Sequence, residues 1–95
     1  MEQSTIFDWN DAKAEINAAK HGITFPSAAR VFLDARRVIV PTIRAEDGED
    51  RFKVVGAIEG KLYVVVFTMR GDICWLISAR RTNTQEDRIY GPLQT

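Results

Sequence analysis

Apolar residues fall into two regimes along this chain, helical spacing before Asp34 and strand-like runs after Arg37. Ile6-Phe7-Asp8-Trp9 is a short apolar start that reads as an edge strand. From Asn10 the pattern turns helical: Trp9, Ala12, Ile16 and Ala19 step by three, four and three and form one apolar stripe. Asp8, Asn10 and Asp11 offer capping oxygens and negative charge at the helix start. Gly22, with Ile23 beyond it, ends the helix as a left-handed cap. A second helix begins at its N-cap Thr24, carries Pro26 in the first turn, and stops near Asp34. Phe25, Ala28, Ala29 and Phe32 make its apolar face, so the two helices read as a hairpin laid on a sheet.

Val38-Ile39-Val40 opens the strands, and Pro41 makes that strand an edge or ends it. Phe52–Ile58, a Glu59-Gly60 turn and Leu62–Thr68 read as a hairpin. Arg70-Gly71-Asp72 then turns the chain into Ile73–Ser78, which completes an antiparallel meander. Thr82-Asn83-Thr84-Gln85 is a capping-box-like start for a short last helix through Tyr90, closed by Gly91-Pro92. The expected fold is α+β: two N-terminal helices packed on an antiparallel meander sheet, with a short C-terminal helix.

Ninety-five residues are expected to form one domain, residues 1–95. No apolar run approaches the roughly 20 residues that a membrane span needs. The start, Met1-Glu2-Gln3-Ser4-Thr5, lacks the basic and apolar regions of a signal peptide. A lone cysteine, Cys74, inside an apolar run suits a reducing cytoplasm. The charge sums to zero, with 13 basic and 13 acidic residues, but Glu46, Asp47, Glu49 and Asp50 share one stretch. Setting those four aside leaves 13 basic against 9 acidic residues, which permits a local cationic face.

One histidine and one cysteine cannot make a zinc site, and no spacing matches a calcium loop, a phosphate-cradling glycine loop or a nucleophile elbow. No cofactor or metal is therefore expected. What remains is cationic: Arg51, Lys53, Arg70, Arg80 and Arg81 sit in the meander or at its turns. Solvated strand-end charge would explain them. Ser78-Ala79-Arg80-Arg81 is more suggestive, because an arginine just beyond a buried strand is held on a rigid support. Guanidinium donors suit phosphate, and a cation over a developing phosphorane permits cleavage by a neighbouring 2′-hydroxyl without a metal. Lys20-His21 complements the negative end of the first helix, and His21 also suits proton transfer near neutral pH. Trp9 and Trp75 offer stacking surfaces for bases, although Trp9 belongs to the helical stripe and reads as core.

Several blocks then fall into a recognisable order. Phe7-Asp8-Trp9-Asn10-Asp11, Lys13, Asn17, Lys20-His21-Gly22-Ile23, Phe25, Ala28 and Val31-Phe32 open it. Glu49-Asp50-Arg51-Phe52 with Gly56, Thr68-x-Arg70, Ile77-Ser78-Ala79-Arg80-Arg81, Glu86 and Tyr90 complete it. From about residue 7 to 90 the chain resembles the BrnT family. The resemblance implies a RelE-like fold and a metal-independent RNA endonuclease, the toxin of a bacterial type II toxin–antitoxin pair that cleaves mRNA and stops translation. It also implies neutralisation by a BrnA-like antitoxin, through which alone the complex contacts DNA. On that reading Arg80 is the first choice for stabilising the transition state and Arg70 the next, with Lys20 or His21 moving protons. Arg51, Lys53, Arg81 and Trp75 would contact RNA, and Arg80→Ala is expected to abolish cutting with little loss of stability. Relatives often carry a basic residue near the position of Trp75. The alternative is a catalytically weak member that serves as a non-enzymatic partner in a repressor complex.

Overall fold

The computed structural model describes residues 5–42 and 48–93. Met1–Ser4, and Glu46 and Asp47 of the acidic stretch, lie outside the described residues. Strands form where the apolar runs placed them: β1 (Ile6–Asp8), β2 (Val38–Pro41), β3 (Phe52–Ile58), β4 (Lys61–Arg70) and β5 (Ile73–Arg81). They make one sheet in the order β1-β5-β4-β3-β2. The β2-β3-β4-β5 meander is antiparallel throughout. The sheet as a whole is mixed, however, because β1 joins β5 in parallel, pairing Ile6 with Ile73 and Asp8 with Trp75. This edge is reached through the side chains as well as the backbone, since Phe7 packs on Phe32 with ring centroids 5.2 Å apart.

One register irregularity matters for the site. Val66 pairs with Ser78 and Phe67 with Leu76, so Ile77 is an extra residue on β5. Such a bulge shifts the two-residue alternation of one strand against its neighbour. On β5, Cys74, Leu76 and Ala79 therefore point to one face, all in the same core cluster. Trp75, Ser78 and Arg80 pair with Thr68, Val66 and Val64 and point to the other.

The helices divide between these faces. Helix α1 (Asp11–His21) starts on Asn10, whose side chain accepts from the Lys13 N–H at 3.0 Å. It ends on Gly22 at φ 73°, in the left-handed region. Helix α2 (Phe25–Ala28) starts on Thr24 and tightens into a 3₁₀ helix over Ala29–Leu33 that ends at Asp34. Phe25, Ala28 and Val31 from this segment bury against Val54, Val65, Leu76 and Ala79 of the sheet. Gly56 permits the approach, because a Cβ there would lie 2.9 Å from both the Cβ and the carbonyl oxygen of Val31. Helix α3 (Thr84–Tyr90) lies on the opposite face, where Tyr90 packs with Val55, Leu62 and Val64. No described helix is long and apolar enough to cross a membrane.

The face that α1 buries is not the expected stripe. Ala12 and Ala19 are exposed and Ile16 is 66% exposed, while Ala14, Asn17 and Ala18 turn inward. Asn17 is the buried residue of the helix. Its Nδ2 donates to the Ala79 carbonyl at 2.9 Å, and its Oδ1 accepts from the Ala79 N–H at 3.1 Å. The reason lies in the sheet. β1 pairs with β5 only through Trp75, so among the described residues no strand lies beside the far edge of Ala79. The carboxamide supplies the missing donor and acceptor, which a buried backbone requires. Trp9 does pack as core, edge-on to Phe25 at 5.9 Å.

Candidate functional site

Strand alternation separates the arginine pair that ends β5. Arg80 projects to the α3 face beside Val64. Arg81 projects to the helix-bearing face, where its guanidinium lies 5.4 Å from the Tyr63 ring and its Nε donates to the Leu62 carbonyl at 3.1 Å. Lys20 and His21 close α1, which flanks the edge of β5 where Asn17 bonds the Ala79 backbone. Lys20 is exposed and His21 half-buried.

On the α3 face, Arg80 and Lys53 converge on one carboxylate. Arg80 Nη1 and Nη2 donate to Glu86 Oε1 and Oε2, each at 2.9 Å, and Lys53 Nζ reaches Oε2 at 3.2 Å. Nη1 also donates to the Arg81 carbonyl at 3.1 Å. Glu86 is only 1% exposed. It does a second job as the reciprocal member of the α3 capping box, accepting from the Asn83 N–H at 2.9 Å while Asn83 Oδ1 accepts from the Glu86 N–H at 2.9 Å. Burial pushes the Glu86 carboxyl up, but Arg80, the Asn83 N–H and Lys53 together outweigh that and hold it down to about 2. Two cations meet one anion, so the cluster carries a net positive charge on a rigid mount. A carboxylate that stays ionised this far below neutrality is a poor proton acceptor for catalysis. Glu86 positions its partners.

The sequence pointed to the capping box but started it at Thr82 to Gln85, and gave Glu86 no role in the site. The signal was there in the spacing: an Asn three residues before a Glu, directly after a strand ending in arginine. The pairing also revises the expected effect of Arg80→Ala. That change would leave a buried carboxylate with half its compensation, so stability falls together with any activity.

A second cluster forms farther along the same face. Arg70 lies over the Trp75 ring at 4.4 Å and is held by Glu49, Nε to Oε2 at 3.0 Å and Nη2 to Oε1 at 3.5 Å. Thr68, which pairs with Trp75, is buried and donates to the Asp50 carbonyl at 2.5 Å. Arg70 is six residues along β4 from Val64, the partner of Arg80, which places the two arginines about 20 Å apart at strand spacing. They share a face but not a point. Arg51 stands one residue ahead of β3, half-buried, with its carbonyl accepting from the Thr42 N–H at 3.0 Å. Cys74 belongs to the opposite core, and burial pushes its thiol up to about 11, which disfavours the reactive thiolate.

Both clusters fall within the segment, residues 9–86, that matches a family model described as the ribonuclease toxin, BrnT, of a type II toxin–antitoxin system. No curated protein sequence matches the chain at a significant level.

Proposed function

The chain belongs to the BrnT family of ribonuclease toxins of type II toxin–antitoxin systems, and from that premise we propose that it is a metal-independent RNA endonuclease centred on Arg80 and Lys53. The observation that carries this reading is the buried Glu86 clamp, which holds two cations side by side on the α3 face of the sheet, on either side of β4. In the proposed reaction the 2′-hydroxyl gives its proton to solvent as its oxygen bonds to the adjacent phosphorus, the bond from phosphorus to the 5′-oxygen breaks, and the leaving oxygen takes a proton from solvent. The products are a 2′,3′-cyclic phosphate and a 5′-hydroxyl. Arg80 and Lys53 offset the charge that builds on the phosphorane oxygens, where fixed donors are worth most. Cleavage of mRNA in the cytoplasm would block translation. A BrnA-like antitoxin would neutralise the protein and carry the complex to DNA.

The test is cleavage of single-stranded RNA by antitoxin-free protein in EDTA. Arg80→Lys keeps a charge for Glu86 but loses the two-pronged guanidinium fork. It is expected to lower kcat by about 100-fold or more, the usual loss for one transition-state donor, with an unchanged circular dichroism spectrum. Intact RNA after prolonged incubation with folded wild-type protein would remove the reading. One observation favours a weaker member: both terminal nitrogens of Arg80 are already engaged by Glu86. A non-enzymatic partner of a repressor complex would bind antitoxin tightly, yet expression of the chain alone would leave growth unaffected.

A further inference from the structure

We propose that Trp75 and Arg70 form a base-stacking subsite for single-stranded RNA, set along the strand from the bond cut at Arg80. This rests on the ribonuclease reading for its substrate, although its first test does not need cleavage.

Three observations converge on it. The first is the bulge at Ile77. Without it Trp75 would share the face of Ala79 and enter the core; with it Trp75 pairs with Thr68 on the face of Arg80 and Lys53. Bulges of this kind re-aim a side chain, and this one places a tryptophan outside both hydrophobic core clusters. The second is the state of Arg70. Glu49 takes its Nε and Nη2 at 3.0 and 3.5 Å, which balances its charge and uses two of its five N–H donors. Its guanidinium nevertheless lies 4.4 Å from the Trp75 ring centre, and the side chain is 49% exposed. An arginine so balanced keeps a flat surface, and bases stack on guanidinium planes as on aromatic rings. The third is spacing. Trp75 pairs with Thr68 and Arg80 with Val64, four residues apart on β4, or about 13 Å. Lys53 and Ser78 flank Val66 between the two points and line the way. A base stacked at Trp75 therefore belongs to a nucleotide beyond those flanking the cut. The division of labour is clear: Arg80 and Lys53 face phosphate, Trp75 and Arg70 face a base.

The first experiment uses an octanucleotide with every 2′-hydroxyl methylated, which can bind but cannot be cut. Its addition should shift the indole N–H signal of Trp75 and leave that of Trp9, packed against Phe25, in place. Trp75→Ala should weaken octanucleotide binding roughly ten-fold, within the worth of one stacked base, and Trp75→Phe should recover most of it. On cleavable RNA the same change should raise KM more than it lowers kcat, and the loss should grow from a dinucleotide to an octanucleotide. An unmoved Trp75 signal, or equal losses on the short and long substrates, overturns the subsite. Binding with the expected shift but no cutting by wild-type protein would overturn the ribonuclease reading and leave the subsite standing.

Discussion

Glu86 joins fold and site in a single side chain, because it caps α3 and orders Arg80 and Lys53 at once. Hydrogen bonds to a buried charge are each worth more than neutral ones. Glu86→Gln keeps the volume but withdraws the charge, and should lower unfolding free energy by about 2 kcal/mol in a urea titration. Its ionisation also fixes a pH response. The folded carboxyl titrates at about 2 against an ordinary 4.5, so the unfolded chain binds the proton more readily. The stabilisation is then complete above about 4.5 and is lost as pH falls toward about 2. Wild-type urea midpoints should drop through that window, and Glu86→Gln should flatten the drop. A variant that tracks the wild-type slope would show that another carboxylate sets the acid limit. Asp34 adds to that limit in the same direction: burial raises its carboxyl, but bonds from Tyr90, Ala57 and Arg36 leave it lowered on balance.

Elements were legible wherever side-chain chemistry and period agreed. The caps on Asn10, Gly22, Thr24 and Gly91, the Glu59-Gly60 turn and the four meander strands all stand where residue types placed them. The α1 face was misread for a physical reason. A pattern of apolar residues cannot register a polar one that is buried because it completes a sheet edge, as Asn17 does for Ala79. Its partner lies 62 residues away, and the need for it arises from the shortness of β1. Asn17→Ala strands both backbone groups of Ala79 and should cost about 2–3 kcal/mol, with faster hydrogen exchange at the Ala79 amide. Gly56→Ala should cost a similar amount, about 2 kcal/mol, by pushing the 3₁₀ helix off β3. Its added carbon meets the backbone of Val31, which cannot swing aside as a side-chain tip would. A native-like denaturation midpoint for either variant would mean that the contact relaxes more easily than its geometry implies. The bulge at Ile77 was the other hidden feature, since nothing in the Ile73–Arg81 run marks which residue is extra.

At the scale of the whole molecule, zero net charge hides a cationic face whose charges are partly balanced in place. Arg80 and Lys53 share Glu86, and Arg70 has Glu49, so the carboxylates that orient the cations also temper their field. RNA affinity drawn from so few phosphate contacts should depend on salt only modestly. Each phosphate neutralised on a single strand contributes a slope of about −0.7 in log affinity against log salt, so two or three contacts give about −1.4 to −2. Between 50 and 200 mM salt that amounts to a loss of roughly 7- to 20-fold. The measurement is octanucleotide affinity across that range, with Arg80→Lys beside the wild type. Since lysine keeps the charge, the slope should hold while cleavage falls, because counterion release counts charges and transition-state stabilisation counts donors. A slope of about −4 or steeper would mean that RNA engages a far wider basic surface than these two clusters.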